Sequence, residues 1–122
     1  LNPSLLKQLK QHQALGDEVV LVSASVDVYL QPICSLLSIN LICTQTEQIN
    51  NTYTGKYTTP DCSSEQKRQR ILEKYSLHYY SVIYAYGNSI EDREMLELAD
   101  HRYMVGVDKT LPQLPTNIQI AI

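Results

Sequence analysis

The sequence predicts an α/β fold, a mostly parallel sheet with helices on both faces. Val19-Val20-Leu21-Val22 is a short continuous apolar run, as expected of a strand buried on both faces, and residues 39–44 and Val82-Ile83-Tyr84-Ala85-Tyr86 read as further strands. Segments with helical spacing and cap signals lie between them, and that alternation points to a parallel sheet. A chain of 122 residues, 43% hydrophobic and 19% charged, can pack one core and is not a disordered segment.

Asn2-Pro3-Ser4 opens a helix with Leu5, Leu6 and Leu9 at helical spacing. It is expected to end near Leu15-Gly16, because glycine commonly follows a helix C-terminus. The strand at 19–22 comes next, closed by Ser23-Ala24-Ser25. A second helix is expected over 28–37, with Pro32 inside its first turn, where proline is tolerated. Residues 39–44 form a second strand. Residues 45–61 are polar and β-branched, with turn signals at Asn50-Asn51 and Thr54-Gly55, so a hairpin or a long loop belongs there. Ser63 or Ser64 can cap a helix running through Lys67 to Tyr75, with Glu65 and Gln66 in its first turn. A third strand at 82–86 leads to a helix over 90–99, to which Met95, Leu96 and Leu98 supply apolar contacts. A fourth strand is expected at 102–107 and a short terminal one at 117–122. In such sheets a ligand sits beyond the carboxyl ends of the strands. Ser23, Asn88 and the segment after Thr44 are the polar residues at those ends.

Composition excludes some classes of function. The net charge is −3 and the basic residues are scattered apart from Lys67-Arg68-Gln69-Arg70, which argues against a nucleic-acid surface. No apolar run approaches the length of a membrane-spanning helix, and no signal peptide is visible. Cys34, Cys43 and Cys62 form no Cys-x-x-Cys pair, so neither a disulfide framework nor a zinc site is expected, and a reducing, cytoplasmic setting is. All nine aromatic residues are tyrosine, a bias for which the sequence offers no functional account.

Three segments in order carry a family resemblance: Val19-Val20-Leu21-Val22-Ser23-Ala24-Ser25, then Cys62-Ser63-Ser64-Glu65-Gln66-Lys67, then Tyr84-Ala85-Tyr86-Gly87-Asn88-Ser89-Ile90-Glu91-Asp92 with Arg93-Glu94-Met95-Leu96 after it. Together they resemble the second, third and fourth motifs of the haloacid dehalogenase superfamily, in its phosphoserine-phosphatase-like branch, and Thr54-Gly55 resembles that branch too. The likeness spans nearly the whole chain. Each motif alone is weak, and the three in order are specific. The resemblance implies a Rossmann-like core and a Mg2+-dependent phosphatase acting on a small phosphorylated substrate. It implies that the Ser23 hydroxyl and the backbone N–H groups of Ala24 and Ser25 hold a phosphoryl oxygen, favoured by the following helix N-terminus. Lys67 would neutralise charge developing on the phosphoryl group. Gly87 would let the backbone approach closely, and Asn88 and Asp92 would hold Mg2+, a hard cation that takes oxygen ligands. Each residue also has an ordinary reading. Ser23 can end a strand or cap the next helix, Lys67 can be a solvated helix lysine like its neighbours Arg68 and Arg70, and Asn88-Ser89 can cap a helix whose first turn contains Asp92.

The sequence departs from the family in two places. Asn88 stands where the family usually has Asp, which keeps a carbonyl oxygen but removes a negative charge, so weaker Mg2+ binding or greater reliance on Asp92 is expected. The Asp-x-Asp motif whose first carboxylate attacks phosphorus is absent from the chain. In the family that motif and a cap precede these segments, so the chain is expected to be the C-terminal part of a core domain over residues 1–122, inactive alone. The nucleophile strand would lie between the strands ending at Ser23 and Tyr86. Its absence should expose two sheet edges. These edges could pair directly, be filled by residues 117–122, or pair with a second copy in a homodimer. A non-catalytic phosphate-binding or interaction domain is the competing reading. A receiver-like or other doubly wound domain is a third, possible by fold alone.

Overall fold

The computed structural model describes residues 3–59, 62 and 64–115. Helix α1 spans Pro3–Ala14 and starts on a proline, whose fixed φ and missing N–H suit a first helical position. It ends in a Schellman motif: Gly16 takes φ 82°, its N–H donates to Gln13, and the Asp17 N–H reaches back to the His12 carbonyl. Strand β1, Val20–Val26, runs directly into helix α2, Asp27–Leu37. Pro32 is the sixth residue of that helix and not in its first turn, because the helix begins at Asp27 as soon as the strand ends. Strand β2, Asn40–Thr44, pairs parallel to β1, from Val20 opposite Asn40 to Ser23 opposite Cys43. The next pair is Val26 with Thr44, so Ala24 and Ser25 bulge out of the ladder.

The 45–61 region is a hairpin in its described part. Strands β3, Thr46–Ile49, and β4, Thr52–Tyr57, are antiparallel. Asn50 and Asn51 both take positive φ, 53° and 64°, as the turn of a tight hairpin requires. Gly55, at φ 84°, lies in β4 where the register shifts. Thr46 pins the stem to α2, donating from its N–H and its hydroxyl to Asp27 Oδ1 at 3.2 and 2.6 Å. Helix α3, Glu65–Lys74, and a 3-10 turn at Leu77–Tyr79 lead to β5, Tyr84–Gly87.

The last strands and helix are shorter than the apolar runs suggest. Ile83 is excluded from β5 because its carbonyl accepts from Asp100 and His101 while its N–H donates to the Asp100 carboxylate. The helix expected over 90–99 is a 3-10 turn, Ile90–Asp92, followed by one α turn, α4, Arg93–Leu96. Strand β6, His101–Met104, is parallel to β5. It stops at Met104 because Gly106 turns the chain at φ 82° and Asp108 takes the Met104 N–H.

Helices lie on both sides of β5, as alternation along a strand requires. Tyr84 and Tyr86 meet His12 of α1, while Gly87 points its missing side chain at Asp92 and Leu96. α2 packs on β1 and β2. Ile42, Cys62 and Ile71 form a buried cluster, joined by Val20, Val22, Tyr75, Leu77, Met95 and Leu98.

Among the described residues the parallel strands form two pairs, β1–β2 and β5–β6, with no ladder between β1 and β5. Direct pairing of those strands is therefore not made, and residues 117–122 lie outside the described residues. The run 20–23 is half-buried and not fully buried, since β1 has one strand partner here. Helix α1 ties the halves together: Gln13 donates to the Leu37 carbonyl, and Gln8 to the Tyr86 hydroxyl. No helix among the described residues is long and apolar enough to cross a membrane.

Candidate active site

The start of α3 gathers three strand ends. Toward β5, Lys67 forms an ion pair with Asp92, and the Ser64 N–H donates to the Glu91 carbonyl. Toward β1 and β2, the Cys62 N–H donates to the Thr44 hydroxyl, which itself donates to the Ala24 carbonyl. One turn beyond Lys67, Arg70 donates to the carbonyl of Cys43 in β2, so it is a tether and not a solvated surface residue. Arg68 keeps the surface role, paired with Glu65 and Glu97.

Lys67 and Asp92 are 7% and 3% exposed. A buried charge is costly unless it is paired and hydrogen-bonded. Asp92 meets that condition: Oδ1 takes Lys67, and Oδ2 accepts the N–H groups of Asn88 and Ser89 at 2.9 and 3.3 Å. Ser89 returns the contact, its side chain accepting the Asp92 N–H, so the two make a reciprocal capping box on the 3-10 turn. Gly87 permits this approach by packing. A Cβ there would come within 2.8 Å of Asp92 Cβ and 3.2 Å of its Oδ2.

Ser64 is the N-cap residue of α3 but makes no side-chain cap bond, and it takes φ 48°. A serine in that left-handed region is strained, and such residues persist where the surroundings over-determine them. Ser63, the other expected cap, lies outside the described residues.

Ser23 closes the regular part of the β1 ladder, and its hydroxyl accepts the Ser25 N–H at 3.1 Å, closing the bulge on itself. Ala24 is linked to the α3 start through Thr44. The structure thus joins Lys67, Gly87, Asp92 and the Asn88 backbone directly, and links Ala24, beside Ser23, through the Thr44 hydroxyl to Cys62, which precedes Lys67 in the chain.

The fit to Mg2+ is partial. The Asn88 side chain is exposed and offers one neutral oxygen, whereas both Asp92 oxygens are already engaged. Among the described residues no group of three or more His, Cys, Asp or Glu could hold a metal. An ion that prefers six oxygen ligands would need donors beyond these. The cysteines are no substitute. All three are buried and in no disulfide, and burial, ahead of the Asp27 charge, pushes the Cys43 thiol up to about 11, so it stays protonated at neutral pH.

The sequence offers Ser64 only as a helix cap and Arg70 only as a solvated neighbour of Lys67, and it gives Thr44 no role. The one signal for Thr44 is a threonine at the end of the 39–44 strand.

The chain is similar to several known proteins. The description haloacid dehalogenase-like hydrolase matches residues 1–97. The histidinol-phosphatase of Neisseria meningitidis is 29% identical over 118 residues, covering 91% of this chain and 53% of that protein. A probable phosphatase of Mycobacterium tuberculosis is 34% identical over 103 residues, covering 82% of this chain and 36% of its own length. The chain therefore spans about half or less of the curated relatives it matches. A Bordetella pertussis protein of unknown function superposes with TM-score 0.70 at 25% identity, over 79% of this chain and 46% of that one. A probable phosphoserine phosphatase of Vibrio cholerae shares the fold, with TM-score 0.69 at 20% identity, over 84% of this chain and 32% of that one. With its three motif segments gathered around α3 and the family match covering most of its length, the chain belongs to the haloacid dehalogenase-like hydrolases.

Proposed function

We propose that this chain is the C-terminal part of the core of a Mg2+-dependent phosphomonoesterase acting on a small phosphorylated substrate. The observation that carries the reading is the buried Lys67–Asp92 pair beside the end of β5, with the Thr44 hydroxyl joining Cys62, ahead of α3, to the bulge after Ser23. An ammonium has three donors, of which Asp92 takes one, so Lys67 can still meet a phosphoryl oxygen. Asp92 holds the lysine in place through their ion pair. The Ser23 hydroxyl and the Ala24 and Ser25 backbone hold a second oxygen, and Gly87 keeps the approach open. Mg2+ would neutralise phosphate charge, with Asn88 Oδ1 as one ligand and Asp92 beside it. The nucleophilic carboxylate and further ligands come from the preceding part of the protein, in line with the share of the relatives that this chain spans. Three buried cysteines in no disulfide support a reducing, cytoplasmic setting.

The full-length protein is expected to hydrolyse p-nitrophenyl phosphate with added Mg2+, and Lys67→Ala is expected to abolish this. The isolated chain should show no turnover. Hydrolysis by the isolated chain that Lys67→Ala removes would show that the nucleophile lies within these residues. The neutral Asn88 favours a second reading, a phosphate-binding domain without turnover. Full-length protein that binds inorganic phosphate but hydrolyses nothing would select it. Each of β1 and β5 has one strand partner among the described residues, which supports pairing with a second copy when the chain is isolated. A monomer by light scattering would exclude that.

A further inference from the structure

The buried hydroxyl of Thr44 stands between the two halves of the proposed phosphate cradle. Thr44 is 2% exposed at the last position of β2. Its Oγ1 donates to the Ala24 carbonyl and accepts the Cys62 N–H, both at 2.9 Å. A hydroxyl has one donor and two acceptor positions, so it can make both bonds at once. Ala24 adjoins Ser23 in the β1 bulge, and Cys62 begins the segment that leads to Lys67. Beside this bridge, Arg70, one turn past Lys67 in α3, donates to the carbonyl of Cys43 at the same strand end. The bulge has lost its ladder bonds and Ser64 is strained, so neither segment is placed by regular secondary structure alone. Valine has the shape of threonine but can make neither bond.

We propose that Thr44 is a positioning residue, whose hydroxyl sets the distance between the Ser23–Ser25 bulge and Lys67 so that both reach the same phosphoryl group. This rests on the phosphatase reading above. Misplacing one half of a cradle weakens the interactions realised in the transition state more than ground-state binding. The effect should therefore fall on kcat.

The test uses the full-length protein. Thr44→Val should lower kcat on p-nitrophenyl phosphate by about tenfold with little change in KM, and Thr44→Ser should restore it. Thr46→Val removes a neighbouring hydroxyl bond to Asp27 that lies outside the cradle, and should leave kcat unchanged. Unchanged kcat in Thr44→Val overturns the proposal, and so does a Thr44→Ser protein as slow as Thr44→Val. If Thr44→Val does not fold, Thr44→Ala replaces it under the same criteria. A wild-type protein without hydrolysis overturns the phosphatase reading instead. The bridge is then read from backbone amide resonances. Thr44→Val should shift Ser25 and Lys67 together and Thr44→Ser should restore both, while a shift of only one, or of neither, overturns the bridge.

Discussion

Two buried polar clusters flank β5, and they are built on opposite plans. On one side Lys67 and Asp92 form a charged pair just past the strand end. On the other, the Tyr86 hydroxyl meets His12 Nε2 at 2.7 Å and accepts from Gln8 at 3.1 Å, while His12 Nδ1 faces Asp17 at 2.8 Å. Gln8 also donates to the Pro112 carbonyl at 2.8 Å. Burial holds the Tyr86 phenol above its ordinary value, so it stays protonated and can donate to His12 Nε2 while Asp17 accepts from Nδ1–H. The second cluster satisfies itself and fastens α1 to the sheet. The first leaves donor capacity on a lysine at a strand end, where a ligand would lie. Burial of polar groups is common to both, so burial alone does not mark the site. Unspent hydrogen-bonding capacity next to a strand end distinguishes the proposed site from the other cluster.

The sharpest way to separate the clusters is to remove charges from the first. Lys67→Met and Asp92→Leu should each lower phosphatase activity of the full-length protein by about 10²–10³. Each should also cost about 3–5 kcal/mol in urea unfolding, because an unpaired charge remains buried. The double variant should be more stable than either single one and still inactive. A double variant no more stable than the singles would show that the pair is more than charge compensation. Gly87→Ala comes next, with an expected cost of about 1–3 kcal/mol, since the new methyl displaces Asp92. Activity should fall with it, whereas full activity would mean that the position of Asp92 is not critical. Tyr86→Phe should have the smallest effect on function. It strands His12 Nε2 and removes one Gln8 acceptor, a loss of about 1–3 kcal/mol by urea unfolding, with inorganic phosphate binding unchanged. Weakened phosphate binding in that variant would join the two clusters into one functional unit.

The same contrast shows what local sequence can convey. Gly87, Asn88 and Asp92 lie within one short stretch, residues 87–92, so their association was readable in advance. The tyrosine bias was not interpretable, because its role lies in long-range hydroxyl contacts: Tyr86 to α1, Tyr80 to Glu18 at 2.6 Å and Tyr75 to Asn40 at 3.3 Å. The helix expected to Ala99 was overestimated for a related reason. Its apolar residues fit a helix, but the backbone N–H groups of Asp100 and His101 are claimed by the carbonyl of Ile83, just ahead of β5.

Sequence by itself determined the α/β class, the order of the main strands and helices, and the family motifs, because apolar periodicity and turn residues act within a few positions of themselves. Tertiary structure alone decided that Lys67 is buried against Asp92 and not solvated, that Arg70 is a tether, that Thr44 bridges Ala24 and Cys62, and that His12 joins Tyr86. Each of those contacts joins residues far apart in the chain. Whether a polar side chain is solvated or buried depends on which segment folds against it, and no local pattern records that.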